Sequence, residues 1–277
     1  MTRTVKVSTV SLGALFLLFL SFNLSFGQGT FNPNPKSADE AIDQVVWANR
    51  ILANEGIFDY LGHVSIRNPE NAKTFFIARD IAPESVTKKD ILEVDQEGAV
   101  VSKTQAKPYQ ERIIHAAIYK ARPDVNSVIH AHPIPVVALS VSRLPFQILS
   151  HSAAIFYEGV PLYDEYDFTS SNPTGMLVKT KEEGERVARK LGKARAMLMW
   201  AHGCNVVGRS IPAAIGAAIA FRDNAVIQLA AEHYGPVRSL SYDQARIGMG
   251  MGTGGGEIDR GWNAWVARVK KSMPDMR

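Results

Sequence analysis

Val128-Ile129-His130-Ala131-His132-Pro133 closes an apolar run that starts near Val125. If the run is a strand, alternation puts the two histidines on one face, about 7 Å apart along the backbone. Two imidazoles so placed can close on one metal ion, although a His-x-His pair alone serves equally well as hydrogen-bonded structure. Pro133 ends the ladder, so the pair stands at the strand's exit, where side chains face a cleft. Two further stretches supply company: Glu111 in Gln110-Glu111-Arg112, and His202 in Trp200-Ala201-His202-Gly203. Three imidazole nitrogens and one carboxylate oxygen suit a borderline divalent ion, Zn2+ first, with Mn2+, Fe2+ and Co2+ as alternatives.

The elements that must position these residues follow from spacing. Ser37, with Glu40 three residues on, opens a helix whose apolar positions recur from Ala41 to Leu52. Alternation predicts strands at His63 to Arg67 and Thr74 to Ala78, then at Ile91 to Val94 and Ala99 to Val101. A helix is expected from about Tyr109 to Ala121, stopped by Arg122-Pro123-Asp124. After the histidine strand come a short helix at Pro135 to Ser142 and strands at Phe146 to Leu149 and Val160 to Tyr163. Lys179 to Leu191 reads as a helix ending at Gly192, Ala196 to Trp200 as a buried strand delivering His202, and Asn205 to Gly208 as its continuation. Ile211 to His233 is the longest helix, Ala-rich and apolar enough to lie inside or at a subunit contact. Gly248 to Gly256 is too glycine-rich for regular structure, and Trp262, Trp265, Val266 and Val269 mark a C-terminal amphipathic helix.

At 277 residues and 46% apolar content the chain can bury a full core in one domain. The formal charge of +4 falls to +2 without Arg3 and Lys6, which is no footprint for nucleic acid. A single cysteine, Cys204, excludes an internal disulfide and reads as a small buried filler. Arg3 and Lys6 precede an apolar stretch from Val7 to Phe26, and Ser25-Phe26-Gly27 offers small residues at a cleavage site. Residues 1–27 are therefore expected to be a signal peptide and the protein to be exported, periplasmic or extracellular. Uncleaved, the same stretch is long enough to anchor the chain in a membrane. Residues 28–37 are a linker, 38–240 the main domain, and 241–277 a tail with a helix suited to subunit contact.

Taken in order, Gly62-His63-Val64-Ser65, Glu111 to His115 with Ala121-Arg122-Pro123-Asp124, His130-Ala131-His132, and His202-Gly203 with Val207-Gly208 resemble the class II aldolase/adducin family. The likeness runs from about Asp39 to Val237. The Gly-His-Val-Ser start and Arg222-Asp223-Asn224-Ala225 most resemble the branch of decarboxylases acting on hydroxylated aromatic or muconic semialdehyde acids. The resemblance implies a three-layer α/β/α fold around a mostly antiparallel sheet, a cyclic homotetramer with sites at subunit interfaces, and a divalent metal held by His130, His132, His202 and Glu111. Glu111 would also be the acid/base. Adducin-like members lack these donors; this chain has all four.

Such a set makes chemical sense. Breaking a carbon-carbon bond beside a carbonyl leaves an electron pair, and a cation chelating the carbonyl and a neighbouring oxygen holds it as an enolate. The sugar-phosphate aldolases cradle phosphate with small hydroxyl and amide donors where this chain has Tyr60-Leu61-Gly62-His63 and Tyr109-Gln110, which argues for a non-phosphorylated small-molecule substrate. His63 would hold or protonate its carboxylate. His115 is expected to be a structural hydrogen-bonding residue and His233 a surface residue complementing a helix dipole. His151, Arg222 and Ser65 are candidate substrate contacts, with structural pairing the simpler role for Arg222. The reading is a metal-dependent carbon-carbon lyase, by aldol cleavage or decarboxylation of a hydroxy-carbonyl or hydroxy-aromatic acid. The alternatives are a non-catalytic adducin-like assembly protein and a sugar epimerase or isomerase.

Overall fold

The computed structural model describes residues 32–166, 168, 175–252, 255–273 and 275. The expected signal peptide at 1–27 lies outside the described residues. Ser37 caps α1 (Ala38–Asn54), its hydroxyl accepting from Glu40 N, while the Glu40 carboxylate reaches back to Lys36 N at 2.8 Å. β1 (His63–Arg67), β2 (Thr74–Ala78) and β3 (Ile91–Asp95) follow as an antiparallel meander. Then come α2 (Arg112–Ala121), β4 (Ser127–Ala131), α3 (Ile134–Val141), the two-residue β5 (Leu162–Tyr163), α4 (Lys181–Leu191), β6 (Ala196–Met199), β7 (Gly203–Gly208), α5 (Ile211–Glu232), α6 (Tyr242–Gly252) and α7 (Gly255–Ser272).

The seven strands form one sheet in the order β3-β2-β1-β4-β7-β6-β5, antiparallel throughout except where β5 runs parallel to β6. Helices α2 and α4 cover one face, sharing a core of Phe75, Ile77, Ile114, Ile118, Val128, Val187, Leu191, Met197 and Val207. Helices α1, α3 and α5 cover the other, with α7 laid against α1 and α5. This is the expected three-layer α/β/α arrangement. Register places His63 opposite His130 and His130 opposite Asn205, so the central strands bring three polar residues level at one end of the sheet.

Helix α4 lies close on α2 because residue 184 is glycine; a Cβ there would stand 2.7 Å from Ile113 Cγ2 and 3.0 Å from its carbonyl oxygen. At the tail, Trp262 and Val269 are buried, and Arg268 forks onto Glu55 at 2.7 and 2.9 Å. The tail helix thus docks on its own chain.

Four expectations need correcting. Phe146 to Leu149 is no strand: side chains of α5 replace the ladder, with Asn224 bonding Leu149 N and Gln147 O, and Gln228 bonding Gln147 N. Ala99 to Val101 reduces to a single bridge between Val94 and Val100. The stretch from Gly248 is helical to Gly252, and helix resumes at Gly255, despite about 1 kcal/mol of propensity lost per glycine. Finally, α2 begins at Arg112, so Tyr109 and Glu111 precede the helix; Pro108 pairs with Arg79, and the Tyr109 hydroxyl donates to Ile81 O.

Candidate metal centre and active site

His130 and His132 do share one face, and their Nε2 atoms stand 3.0 Å apart. His202 arrives on the tight turn between β6 and β7, where Ala201 adopts φ 51°, a conformation most side chains avoid. Its ring stacks on His132 with centroids 5.2 Å apart. Gly203 makes this approach feasible, because a Cβ there would lie 2.3 Å from Ala131 O and 2.8 Å from His132 Cδ2. Glu111, at the N-terminus of α2, places Oε2 3.5 Å from His130 Nε2 and 3.6 Å from His202 Nε2. One donor atom from each of the four residues lies within 4.8 Å of the others.

Each imidazole spends its second nitrogen on a neighbour that the sequence reading missed. His130 Nδ1 meets Asn205 Oδ1 at 2.8 Å, His132 Nδ1 meets Asp59 Oδ1 at 3.2 Å, and His202 Nδ1 meets the Tyr166 hydroxyl at 3.3 Å. Asp59 is held in turn by Leu61 N and Gly62 N. The acceptors on Asn205 and Asp59 put the His130 and His132 protons on Nδ1, so their Nε2 lone pairs face each other. In the neutral rings two lone pairs at 3.0 Å repel, so the pair takes up a positive species between them, either a proton, which Glu111 favours on His130, or a metal ion. A divalent cation fits: donors around a tetrahedral ion with bonds of about 2.0–2.1 Å stand roughly 3.3 Å apart. The signal for Asn205 was a polar residue inside an otherwise apolar strand.

Electrostatics agree with a cation site. Burial alone would raise Glu111, but His130 and His202 together with Val178 N outweigh it and hold the carboxyl at about 2. Burial and the neighbouring His130 push His202 down to about 4 and lower His132 as well. His130 is buried too, yet Glu111 outweighs that penalty and holds it above the ordinary histidine value, so a metal ion entering the cluster displaces a proton there. Neutral imidazoles and an ionised carboxylate are the forms that bind metal.

A cavity of about 380 Å³ opens onto this cluster, lined by Leu61, Tyr109, Met176, Leu177 and Ala201, by His63, Asp80 and Gln110, and by the donors Glu111, His132 and His202. His63, expected to meet the substrate, lines the cavity. Ser65 does not: it is fully buried behind His63, bonded to His115 Nδ1 at 2.6 Å and to the Tyr119 hydroxyl at 2.8 Å. The same alternation that aims His63 inward hides Ser65 two residues further along the strand under α2. Arg222 also leaves the site; it donates to Glu55 O beyond α1 and pairs with Asp223 at 2.7 Å, the structural role. His151 is exposed at the head of a short turn beside Gly248 and is absent from the cavity wall. His115 is structural as expected, His233 is exposed just past α5, and Cys204 is buried, its thiol pushed up to about 12 by burial.

A mixed sheet between two helix layers, with three histidines and a glutamate converging at its open end, is the framework of a metal-dependent lyase. The chain belongs to the class II aldolase/adducin family: residues 43–229 match the model described as Class II Aldolase and Adducin N-terminal domain. Decarboxylase tropJ of Talaromyces stipitatus is 31% identical over 189 residues, covering 64% of this chain and 71% of that protein. The 3,4-dihydroxyphthalate decarboxylase of Arthrobacter keyseri is 26% identical over 201 residues, 67% of this chain and 76% of that one. Among solved structures, L-fuculose 1-phosphate aldolase from Glaciozyma antarctica shares the fold, with a TM-score of 0.72 at 24% identity over 89% of this chain and 96% of its own. With all four donors retained and such relatives, the chain is an enzyme of the metal-dependent lyase type.

Proposed function

We propose that this enzyme decarboxylates a non-phosphorylated, hydroxylated aromatic acid, using Zn2+ held by His130, His132, His202 and Glu111. The observation that carries the reading is the cavity wall: apolar and aromatic side chains face the donor cluster, and among the described residues no lysine or arginine lines it. A phosphate would call for cations or clustered amides there, whereas a ring with one carboxylate asks for apolar walls and a few placed donors. The decarboxylase names of relatives support the same reaction.

In this reading Glu111 accepts the proton of the hydroxyl beside the carboxylate and returns it to the ring carbon that bears the carboxyl group. The carbon-carboxyl bond then breaks, its electron pair moves through the ring to the oxygen, CO2 departs, and the product phenolate takes a proton from water. A cation bound by the four donors supplies a Lewis acid for the oxygen that receives that pair. His63 orients the carboxylate, and Leu61, Met176 and Leu177 keep water from the ring. The test is to incubate the zinc-loaded protein with hydroxylated benzoates and phthalates and with hydroxy-keto acids, following CO2 and aldehyde in parallel. CO2 without aldehyde is expected; aldehyde without CO2 makes the enzyme an aldolase. Glu111→Gln should lower turnover by about 10²- to 10⁴-fold, the usual worth of a positioned acid/base.

Export is part of the same proposal: residues 1–27 are removed and the mature protein works in the periplasm or outside the cell. N-terminal sequencing of protein from its native compartment tests this. The exposed apolar side chains Leu61, which lines the cavity, and Tyr60, Ile134 and Trp200, each within two residues of one that does, support assembly into a homotetramer, which light scattering of the mature protein checks.

A further inference from the structure

Behind His63, on the side away from the cavity, runs a line of buried polar groups. His63 Nδ1 lies 2.8 Å from His115 Nε2, His115 Nδ1 2.6 Å from Ser65 Oγ, and Ser65 Oγ 2.8 Å from the Tyr119 hydroxyl. All four residues are at most 2% exposed. Neither ring has a carboxylate hydrogen-bonded to it among the described residues, so burial keeps both neutral, with one proton each.

In such a line each contact holds a single proton, and the polarity of one contact sets the next. The far end decides it. Among the described residues the Tyr119 proton has two acceptors in reach, Ser65 Oγ at 2.8 Å and Asn126 O at 3.4 Å, and the second is beyond a good O–H···O distance. Burial holds Tyr119 as a phenol, so its proton goes to Ser65. Ser65 must then give its own proton to the one acceptor left to it, His115 Nδ1. That leaves the His115 proton on Nε2, from which it is donated to His63 Nδ1. The single proton of His63 is thereby left on Nε2, on the cavity side.

We propose that Tyr119, Ser65 and His115 are positioning residues that lock His63 as an Nε2–H donor facing the cavity, so that His63 receives the substrate carboxylate and takes no place among the metal ligands. The carboxylate assignment rests on the proposed decarboxylase reading; the tautomer does not. The contrast with His130 and His132, whose protons sit on Nδ1, is what separates a donor to substrate from a donor to metal on adjacent strands.

Neutron diffraction from deuterium-exchanged crystals of the zinc-loaded enzyme tests the tautomer. Deuterium on Nε2 of His63 and His115, with both Nδ1 atoms bare, is the expected result; deuterium on His63 Nδ1 overturns the proposal. Ser65→Ala should free His115 and give His63 mixed occupancy of both nitrogens, with zinc content unchanged, and Tyr119→Phe, which deletes one oxygen, should act in the same direction if the serine variant does not fold. A His63 unchanged in the folded variant also overturns the locking role. With salicylate as the probe, Ser65→Ala should weaken binding about tenfold, the scale of a lost hydrogen bond to a charged group. A tautomer as expected with salicylate binding unaltered overturns the carboxylate assignment alone. Absence of turnover on any substrate would sink the decarboxylase reading and leave the neutron result standing.

Discussion

Two buried polar assemblies lie on opposite faces of the same sheet, and they are built on opposite rules. At the ends of β4 and β7, His130, His132, His202 and Glu111 turn one ligating atom each toward a common centre, all within 4.8 Å of one another. Across the sheet, Asn224 and Gln228 of α5 pair their donors and acceptors with the backbone of Pro145 to Leu149, and neither side chain is exposed. The second assembly is complete without help and holds structure. The first converges four groups able to exchange a proton for a metal ion, and so it is a site. Hydrogen-bond satisfaction, more than burial or polarity, tells function from architecture here.

That contrast can be broken at its strongest point first. His132→Ala should reduce zinc affinity by at least about a hundredfold, beyond the usual loss from an outer-shell change, and abolish turnover. Unfolding of the ion-free protein should shift little or rise, because one of two opposed lone pairs is gone; elemental analysis and calorimetry in chelator read the two effects separately. Asn224→Ala should do the reverse, costing about 2 kcal/mol in urea unfolding by stranding Leu149 N and Gln147 O, while zinc content stays stoichiometric. Between them falls Asn205→Ala, which removes the partner of His130 Nδ1 and should weaken zinc about 10- to 100-fold, measured by competition with a chromogenic chelator. The mildest change is Gly184→Ala: helix propensity gains about 1 kcal/mol, but the clash with Ile113 outweighs it, for a net loss of about 1 kcal/mol by thermal unfolding.

Much of the site was legible because its residues carry strong local signals. A His-x-His before proline is unusual in an apolar run, and a strand's two-residue period fixes both rings on one face whatever surrounds them. The partners of those rings were not legible. Asp59, Asn205 and Tyr166 are ordinary polar residues until register and turn geometry bring them to an imidazole nitrogen. Ser65 misled for the same reason that His63 was found: alternation puts both on one face, and only the depth of α2 over β1 separates an open position from a sealed one. Phe146 to Leu149 read as a strand because its residues favour extended backbone, and propensity cannot say whether a neighbouring strand or a pair of amides will meet it.

By itself the sequence determined the periodicities, and through them the helices, most strands and the faces on which His63, His130 and His132 stand. It also determined the chemical kind of donor available, since imidazole and carboxylate bring their affinities wherever they are placed. Only the tertiary structure decided which nitrogen of each histidine is free. That choice rests on a partner about 3 Å away in space and as many as 75 residues away in the chain, a relation no local pattern encodes.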